Sequence, residues 1–346
     1  MRRCIILMFV IIFLLSGCID IADREVRYRS APISLEFSIS YGYYINSSGE
    51  GRLVIDCLIF LPKPLNGSVL NLSIIGNYSH EEDVIGDNQA VRWNFSEEGG
   101  KKIKIGVSAR VRTSSFATDL IAEGYVDMSK IDEDLKRRFC GKQRIDDLVV
   151  IHPDDPMIRD VVGSVGASNN SFEIAKRLFR WLKRNTKYSH HDGGKFPQTD
   201  LQTLNLGMGD CDDLSILYIS LCRSAGIPAR LVKGYLIREM DGGYRAIPHA
   251  WAEVYVGSWL PVECAGTSED IDVEVHQDFG IETANHLRVY VDDGTDENLS
   301  LSSRGVMVRY EKGLEIDVEP FVEVKDVEIL EVGSLVVRKN GERLYI

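Results

Sequence analysis

The alternation of apolar and polar positions changes along the chain and divides it into two kinds of region. From residue 31 to about residue 125, apolar side chains recur at every second position in runs such as ISLEFSISYGYY and KKIKIGVSARVRT, and turn-forming stretches such as NSSGEG and SEEGG separate the runs. Short alternating runs at regular spacing are typical of antiparallel strands with one buried face. We therefore predict an accessory β-sandwich domain over residues 31–128.

Near residue 130 the apolar period becomes that of a helix. In NSFEIAKRLFRWLKRN, Asn170 and Glu173 have the spacing of an N-terminal capping pair. One face of that helix carries Ile174, Leu178, Trp181 and Leu182. The stretch CDDLSILYISLCRS instead has apolar residues on all sides, which predicts a central, buried helix. Gly226 and Pro228 are expected to end it.

Three strands are predicted after this helix, at about residues 229–238, 244–256 and 259–264. A buried helix against an antiparallel sheet is an α+β arrangement, and we assign it to a second domain over residues 129–299. Alternation resumes in the remaining residues, 300–346, which we predict as a C-terminal β extension. The pattern leaves open whether this extension belongs to the second domain or forms a small sheet of its own.

The first residues, MRRCIILMFVIIFLLSGC, have the order of an export signal. Two arginines precede eleven apolar residues, Ile5–Leu15, and eleven residues are too few to cross a hydrocarbon core of about 30 Å. The small residues before Cys18 resemble a prokaryotic lipobox, which implies cleavage there, a lipid on Cys18 and a linker over residues 19–30. The alternative is a signal peptide or uncleaved anchor with an incidental cysteine. Both interpretations predict a chain outside the cytoplasm, and the first tethers it to the membrane at the cell surface.

Charge and sequons agree with an exported protein. The net charge of −12 argues against nucleic acid or an anionic bilayer as the main partner. N-x-S sequons begin at Asn46, Asn66, Asn71, Asn77, Asn94, Asn169 and Asn298. Their crowding between residues 46 and 94 indicates an exposed segment. In an exported protein they are candidate acceptor sites for N-glycans, as in a glycoprotein, and a polar, serine-rich surface is the alternative explanation; occupancy is left open.

Five cysteines follow the predicted signal, and an odd number outside the cell predicts at least one free thiol. They are Cys57, Cys140, Cys211, Cys222 and Cys264. Cys222 and Cys264 are interpreted as core residues, and a disulfide between Cys57 and Cys140 stays open. Neither a CxxC pair nor a zinc-like spacing is present, so no metal or cofactor is predicted. The HHD stretch at 190–192 lacks a further ligand to complete a metal site and is interpreted as a solvated loop.

Cys211 is the cysteine whose neighbours in the sequence affect the ionisation of its thiol. It opens the predicted buried helix, where unpaired N–H groups and the helix dipole favour a thiolate. Three neighbouring carboxylates, Asp210, Asp212 and Asp213, oppose a thiolate, although those at 212 and 213 are also suited to capping the helix. Activation of this thiol therefore requires a cationic partner.

His249 is the candidate partner. The alternation in HAWAEVYV places His249, Trp251 and Glu253 on one face of a strand. A short strand, WLPVE, returns after Gly257, and hairpin parity brings Glu263 to the same face if the turn is centred near residue 256. A carboxylate at this place fixes the tautomer of an imidazole and stabilises its charged form.

These residues predict nucleophile, base and orienting acid for thiol acyl transfer. The Cys211 backbone N–H and one upstream donor would stabilise the oxyanion, and Tyr188, Gln198 and Gln202 are equal candidates for that donor. Trp251, Gln202 and Tyr188 are the candidate substrate-binding residues, although a core position is the alternative for Trp251.

The stretches GDCDDLSILYISLCRSAGIPARLVKGY, HAWAEVYV and WLPVE resemble the core of the transglutaminase-like superfamily of papain-type thiol enzymes. The resemblance covers about residues 135–295 and implies a papain-like α+β fold. By it, Cys211 matches the nucleophile, His249 the base, and Glu263 the position where the family usually has aspartate. The implied activities are protein cross-linking, proteolysis and other amide hydrolysis.

The expectation is thus a surface-tethered cysteine peptidase or amidase that acts on a protein or peptide through a thioester. Transamidation is a less economical expectation because no dedicated amine site is visible. The alternative class is an inactive, transglutaminase-like binding module. The sequence identifies neither the substrate nor the oligomeric state.

Overall fold

The structure, a computed structural model, describes residues 25–190 and 196–346. The predicted signal peptide, the lipidation site Cys18 and the first half of the linker lie outside these residues, as do two residues of the HHD stretch. The export signal, the lipid anchor and the cell-surface location therefore stay predictions. Among the described residues, no helix is both long and apolar enough to cross a bilayer.

The chain folds into an α+β structure with mostly antiparallel sheets, as the sequence predicts. The α-helices are α1 (Glu133–Phe139), α2 (Pro156–Ser164), α3 (Ser171–Asn185), α4 (Asp200–Leu206), α5 (Cys211–Ser224), α6 (Ile271–Asp278) and α7 (Asp296–Arg304), with a 3-10 turn at Met128–Lys130. The first strands are β1 (Val26–Arg27), β2 (Ala31–Ser48), β3 (Arg52–Phe60), β4 (Gly67–Ile75), β5 (His80–Ile85), β6 (Asn88–Glu98), β7 (Lys102–Ser114) and β8 (Phe116–Ala117).

The strands that follow are shorter in the middle of the chain and long again near its end. They are β9 (Gln143–Ile145), β10 (Leu148–Ile151), β11 (Lys187–Tyr188), β12 (Met208–Gly209), β13 (Ala229–Met240), β14 (Gly243–Tyr255), β15 (Trp259–Val262), β16 (Ile281–Glu282), β17 (His286–Val291), β18 (Val306–Tyr310), β19 (Glu315–Gly333), β20 (Leu335–Val337) and β21 (Arg343–Tyr345).

Two four-stranded sheets enclose the first hydrophobic core, in the orders β18-β3-β6-β5 and β19-β2-β7-β4. Alternate residues of β2 point into this core, for example Leu35, Phe37 and Ile39, and Ile55 and Trp93 contribute from the facing sheet. The period-two pattern of the sequence therefore corresponds to a two-layered β structure in the N-terminal region. The exact domain boundaries stay a prediction.

The C-terminal residues complete this β structure. Strand β18 pairs with β3, and the long strand β19 pairs with β2, both antiparallel. A small sheet of β1, β20 and β21 closes the chain. The extension is therefore mainly a part of the sandwich, which was neither of the two alternatives considered from the sequence. Alternation predicts that a segment is a strand, but the sheet edge to which it adds is decided by packing between distant segments.

The second core surrounds α5. A four-stranded antiparallel sheet, in the order β15-β14-β13-β17, packs against one side of the helix, and α2, α3 and α4 cover the others. Residues from Asp213 to Arg223 are all buried. The helix ends in a Schellman arrangement, in which the Ile227 N–H donates to the Cys222 carbonyl and Gly226 has a φ of +80°. The predicted central helix and its end are thus both present.

The sandwich also supports the strand that carries His249. Residues near the tip of the β13–β14 hairpin, Ile237 and Ala246, belong to the core of the sandwich, together with Ala284 and Leu287. The Thr113 hydroxyl donates to the Ala284 carbonyl at 2.6 Å. The same hairpin contributes Ala250 and Ala252 to the core around α5, so the sandwich packs against its tip and α5 packs against its other end.

Among the described residues the five cysteines are all free thiols, so the Cys57–Cys140 disulfide is not formed. Cys57 faces the sandwich core and Cys140 follows the end of α1. The sequon asparagines at 66, 71, 77 and 94 are exposed, as expected, but Asn298 is buried and donates to the Ile85 carbonyl. A glycan at Asn298 is incompatible with this fold.

Candidate active site

Cys211 is the first residue of α5 and lies partly exposed at the end of a cleft. The turn before it is closely packed, because a Cβ on Gly209 would lie 2.5 Å from the Asp213 Cβ. Asp213 is buried, and its carboxylate accepts the backbone N–H groups of Gln198 and Asp210 at 2.7 and 3.0 Å. The Gly-Asp-Cys-Asp-Asp sequence therefore fixes the start of the helix, and Asp213 serves as a cap.

His249 and Glu263 meet across the β14–β15 hairpin. The His249 Nε2 lies 2.6 Å from the Glu263 Oε2, and Cys211 is close enough to the same imidazole to help raise its pKa. The other Glu263 oxygen accepts the Ala265 N–H at 2.7 Å. Since Nε2 faces the acid, Nδ1 is the ring nitrogen available to the thiol. The structure thus brings the three predicted residues together in the order thiol, imidazole, carboxylate.

The hairpin register explains why a long acid suits this position. Ala252 pairs with Val262 and Tyr255 with Trp259, so the turn is centred on residue 257, one residue later than the sequence analysis assumed. Continuing this register past the end of β15 places Glu263 opposite Trp251, on the same face as His249 but one step along. Diagonal neighbours of this kind lie roughly 7–8 Å apart, within reach of a long side chain.

The cleft has a volume of about 420 Å³ and contains Cys211, His249 and Glu263. Tyr188, which is 42% exposed on β11, also lines it, as do Arg238 and Asn285. Tyr188 is thus the only one of the three candidate oxyanion donors that lines this cleft in the described structure. Its role in binding substrate stays a prediction.

The two glutamines have other partners. The Gln202 carboxamide accepts the Thr199 N–H at 2.8 Å while the Thr199 hydroxyl accepts the Gln202 N–H, which forms a capping box at the start of α4. The Gln198 side-chain oxygen accepts the Thr203 hydroxyl at 3.3 Å. The geometry gives no support to Gln202 as a substrate-binding residue, because its amide oxygen is used within the helix cap.

Residues 159–264 match the family model of the transglutaminase-like superfamily. They form a transglutaminase-like domain. The match ends one residue after Glu263 and so contains α3, α5 and the hairpin that carries His249.

Comparison with solved structures supports this fold. A candidate cysteine protease from Cytophaga hutchinsonii superposes with a TM-score of 0.58, over 88% of this chain and 93% of that one, at 15% sequence identity. Weaker similarities are to the periplasmic domain of TgpA from Pseudomonas aeruginosa (TM-score 0.35, 14% identity, 68% and 92% covered) and to red sea bream transglutaminase (0.30, 8%, 86% and 77%). No curated protein matches the chain in sequence.

Electrostatics in the transglutaminase-like domain favour the charged forms of both His249 and Glu263. Burial lowers the pKa of His249, but the Glu263 carboxylate and the hydrogen bonds to Cys211 and Glu263 outweigh burial and raise it from 6.5 to about 10. Burial also opposes ionisation of Glu263, yet the attraction of His249 and its hydrogen bonds to imidazoles hold the pKa of this carboxyl well below its ordinary value. The pair is an imidazolium–carboxylate pair at neutral pH.

Trp251 is a buried residue that packs against His249. It is 1% exposed, its ring stacks beside the His249 ring at 5.9 Å, and its Nε1 donates to Glu282 at 2.9 Å. Glu282 is in turn paired with Arg288, which also contacts Glu253 at 2.6 Å. A side chain without exposed surface cannot bind substrate, so the core alternative describes Trp251 and the substrate-binding prediction does not.

Sequence reasoning missed His286, whose Nε2 lies 3.1 Å from the same Glu263 oxygen that contacts His249. It begins β17, which pairs with β13 on the far side of the sheet from β15. The segment between Glu263 and His286 contains α6 and β16, so no register can be counted across it from the hairpin. The one visible signal was a histidine at the start of an alternating run, HLRVYV.

Two groups of side chains in the described part of the chain have the residue types of a metal site. Potential ligand atoms of His249, Glu263 and His286 lie within 4.8 Å of one another, as do those of Asp210, Cys211 and Asp212. In the first group the N···O separations of 2.6 and 3.1 Å are those of hydrogen bonds to one oxygen. Ligands spaced about a zinc ion at 2.0–2.2 Å would be further apart. We therefore interpret this group as a hydrogen-bonded network.

Proposed function

We propose that the chain is a thiol acyl-transfer enzyme, most economically a cysteine peptidase or amidase that hydrolyses amide bonds of a protein or peptide. The observation that carries this proposal is the His249 imidazole, which contacts Glu263 at 2.6 Å and lines the same cleft as the Cys211 thiol, where both groups raise its pKa. This arrangement supplies nucleophile, acid–base group and orienting acid.

The proposed reaction has two halves. The Cys211 thiolate attacks the amide carbonyl carbon, so that a C–S bond forms and the carbonyl π electrons move to oxygen. The intermediate then collapses, the C–N bond breaks, and the His249 imidazolium gives its proton to the departing amine. Water next attacks the thioester while His249 accepts a proton from it. The C–S bond breaks and the carboxylic acid product leaves with the thiolate restored.

The site's charge state suits the first half. Because the carboxylate raises the pKa of His249 to about 10, the imidazole carries its proton through the neutral range and is ready to act as an acid. The Cys211 N–H at the start of α5 and the Tyr188 hydroxyl at the cleft wall are the donors proposed for the oxyanion.

The proposed location is the outer surface of the membrane, with the chain tethered through a lipid on Cys18. This part of the proposal rests on the order of basic, apolar and small residues before Cys18. An extracytoplasmic site would bring cell-surface proteins and peptides within reach of the cleft.

The test is turnover of a quenched peptide library by the purified protein, with and without an added primary amine. We expect release of free carboxylate in wild type, and none in Cys211→Ser or His249→Ala. If the amine is incorporated in preference to water, the enzyme is a transamidase. If wild type turns over no peptide and its Cys211 reacts with iodoacetamide as slowly as an ordinary thiol, the chain is an inactive binding module.

A further inference from the structure

The Glu263 carboxylate is held by more donors than one catalytic histidine supplies. Its Oε2 contacts the Nε2 of both His249 and His286, at 2.6 and 3.1 Å. Its Oε1 accepts the Ala265 N–H at 2.7 Å. His249, Glu263 and His286 have side chains that are 10, 15 and 9% exposed, so water has little access to replace any of these bonds.

We infer that His286 is a positioning residue that acts through Glu263: its Nε2–H fixes the carboxylate in the one orientation that holds His249 against Cys211. This inference deepens the proposed function and rests on it. A glutamate has three side-chain torsions, and the last of them is broad, so an unanchored carboxylate would sample several directions. With His286 and the Ala265 N–H on either side, Oε2 points at His249.

The Glu263 carboxylate can only accept and so requires the Nε2–H of His286, and Thr283 completes the hydrogen bonds of the ring at Nδ1. Its Oγ1 lies 2.9 Å from the His286 Nδ1. If His286 is neutral, the Thr283 hydroxyl donates to Nδ1 and the ring proton is on Nε2. If His286 is charged, both ring nitrogens donate and the hydroxyl accepts. In both states Nε2–H donates to Glu263, so the contact does not depend on the charge of His286.

The ring of His286 is also rigidly placed. It packs edge-on against Trp251 with ring centroids 5.0 Å apart, and its backbone N–H donates to the Thr283 carbonyl at 3.0 Å. His286 lies on β17 and pairs with Leu236 of β13, which is the strand next to the one carrying His249. The two histidines are thus held by one sheet and share Trp251 as a common support.

Among the described residues that line the cleft, Asp278 is the other carboxylic acid besides Glu263. The titratable groups near Glu263 and His286 include His249, Cys211, Tyr188, Cys264 and Asp278, with Arg238 at the cleft wall. Burial and a hydrogen bond to Glu274 raise the pKa of Asp278 well above its ordinary value, so that carboxyl ionises less readily than Glu263.

The first test compares His286→Leu, which removes the donor, with His286→Gln, whose amide N–H can donate from a similar place. The rate of Cys211 alkylation by iodoacetamide at pH 7 is measured by peptide mass spectrometry on the full chain. We expect a loss of roughly 10- to 100-fold in His286→Leu and at most about a threefold loss in His286→Gln, because the lost bond is to a charged group. His276→Leu removes a half-buried histidine from outside the cleft and is the matched control.

The second test asks whether His286 acts through the acid. In a Glu263→Gln background, His286→Leu should cause no further loss, because the carboxylate that it orients is already absent. In the wild-type background, His286→Leu should also shift the acid limb of the alkylation profile to higher pH, since His286 helps to hold the pKa of Glu263 down. If His286 only supports the fold, its replacement should leave the pH of the acid limb unchanged, and its effect should be the same with Glu263 or Gln at position 263. If His286→Leu does not fold, Thr283→Val tests the same relay, with a smaller loss expected.

The outcomes separate this inference from the proposed function. If Cys211 is alkylated rapidly in wild type and equally rapidly in His286→Leu, the inference is overturned while the proposed function stands. The inference is also overturned if His286→Gln loses as much as His286→Leu, or if the loss persists in the Glu263→Gln background. If wild-type Cys211 reacts like an ordinary thiol at all pH values, the proposed function is overturned and the inference with it.

Discussion

Replacing Glu263 by glutamine removes the negative charge beside His249 but keeps the length of the side chain and one oxygen acceptor. The contact that changes is the 2.6 Å bond between His249 Nε2 and Glu263 Oε2. Both side chains are mostly buried, at 10 and 15% exposure, so solvent screens their interaction weakly. The charged imidazole should therefore lose most of its stabilisation in this variant.

The magnitude follows from the pKa of His249. Its rise from 6.5 to about 10 corresponds to on the order of 5 kcal/mol in favour of the charged imidazole. Glu263 is the largest of the favourable contributions, and burial acts against them. In Glu263→Gln the pKa of His249 should fall, and the imidazolium beside Cys211 should be lost at lower pH. At pH 7 we expect alkylation of Cys211 to be roughly 10- to 100-fold slower.

The assay is the rate of iodoacetamide alkylation of individual cysteines from pH 4 to 10, followed by peptide mass spectrometry. Cys140 is an internal reference, because burial raises its pKa to about 11 and it has no histidine partner among the described residues. Wild-type Cys211 should react faster than Cys140 at every pH below 9, and the variant should lose this advantage first near neutral pH. An unchanged rate and pH profile in Glu263→Gln would refute the reasoning.

Three further predictions concern activity and stability. Cys211→Ser should abolish turnover while the melting temperature by circular dichroism moves by less than about 2 °C, and retained turnover would contradict the nucleophile. Gly209→Ala should cost about 1–3 kcal/mol in urea unfolding, because its Cβ would lie 2.5 Å from Asp213, whereas Gly163→Ala, with nothing within 4 Å, should be neutral or stabilising. The folded state keeps a proton on Asp278 that the unfolded state loses above about pH 4, so the free energy of unfolding of wild type falls as pH rises. Asp278→Asn has no such proton, so its free energy of unfolding relative to wild type should increase from pH 4 to 8. A difference that does not change with pH in chemical denaturation would contradict this assignment.

Predictions from local sequence patterns agree with the structure at the centre of the site. The start of α5 follows from Gly209, Asp210 and the apolar run after Cys211, and the capping pair of α3 is present, with the Asn170 side chain accepting the Glu173 N–H at 3.1 Å. His249 and Glu263 are joined by a short hairpin, so parity alone restricts which side chains share a face. A one-residue error in the turn centre did not matter because it left the parity unchanged.

The features that sequence reasoning missed depend on contacts between distant segments. His286 reaches Glu263 from the opposite edge of the sheet, and β19 pairs with β2 across most of the chain. Neither pairing is encoded in a local period. The position of Gln202 is different, because Thr199 and Gln202 have the three-residue spacing of a capping box and the sequence could have indicated it.

The most direct test of the central claim is the capture of an acyl-enzyme. The protein is incubated with a p-nitrophenyl ester of an N-blocked amino acid, quenched in acid, and mapped by peptide mass spectrometry. The mechanism predicts a thioester on Cys211 in wild type and a much slower appearance of it in His249→Ala. It predicts none in Cys211→Ser. Acylation at another residue, or equal acylation of Cys211 and Cys140, would contradict the assignment of Cys211 as the nucleophile.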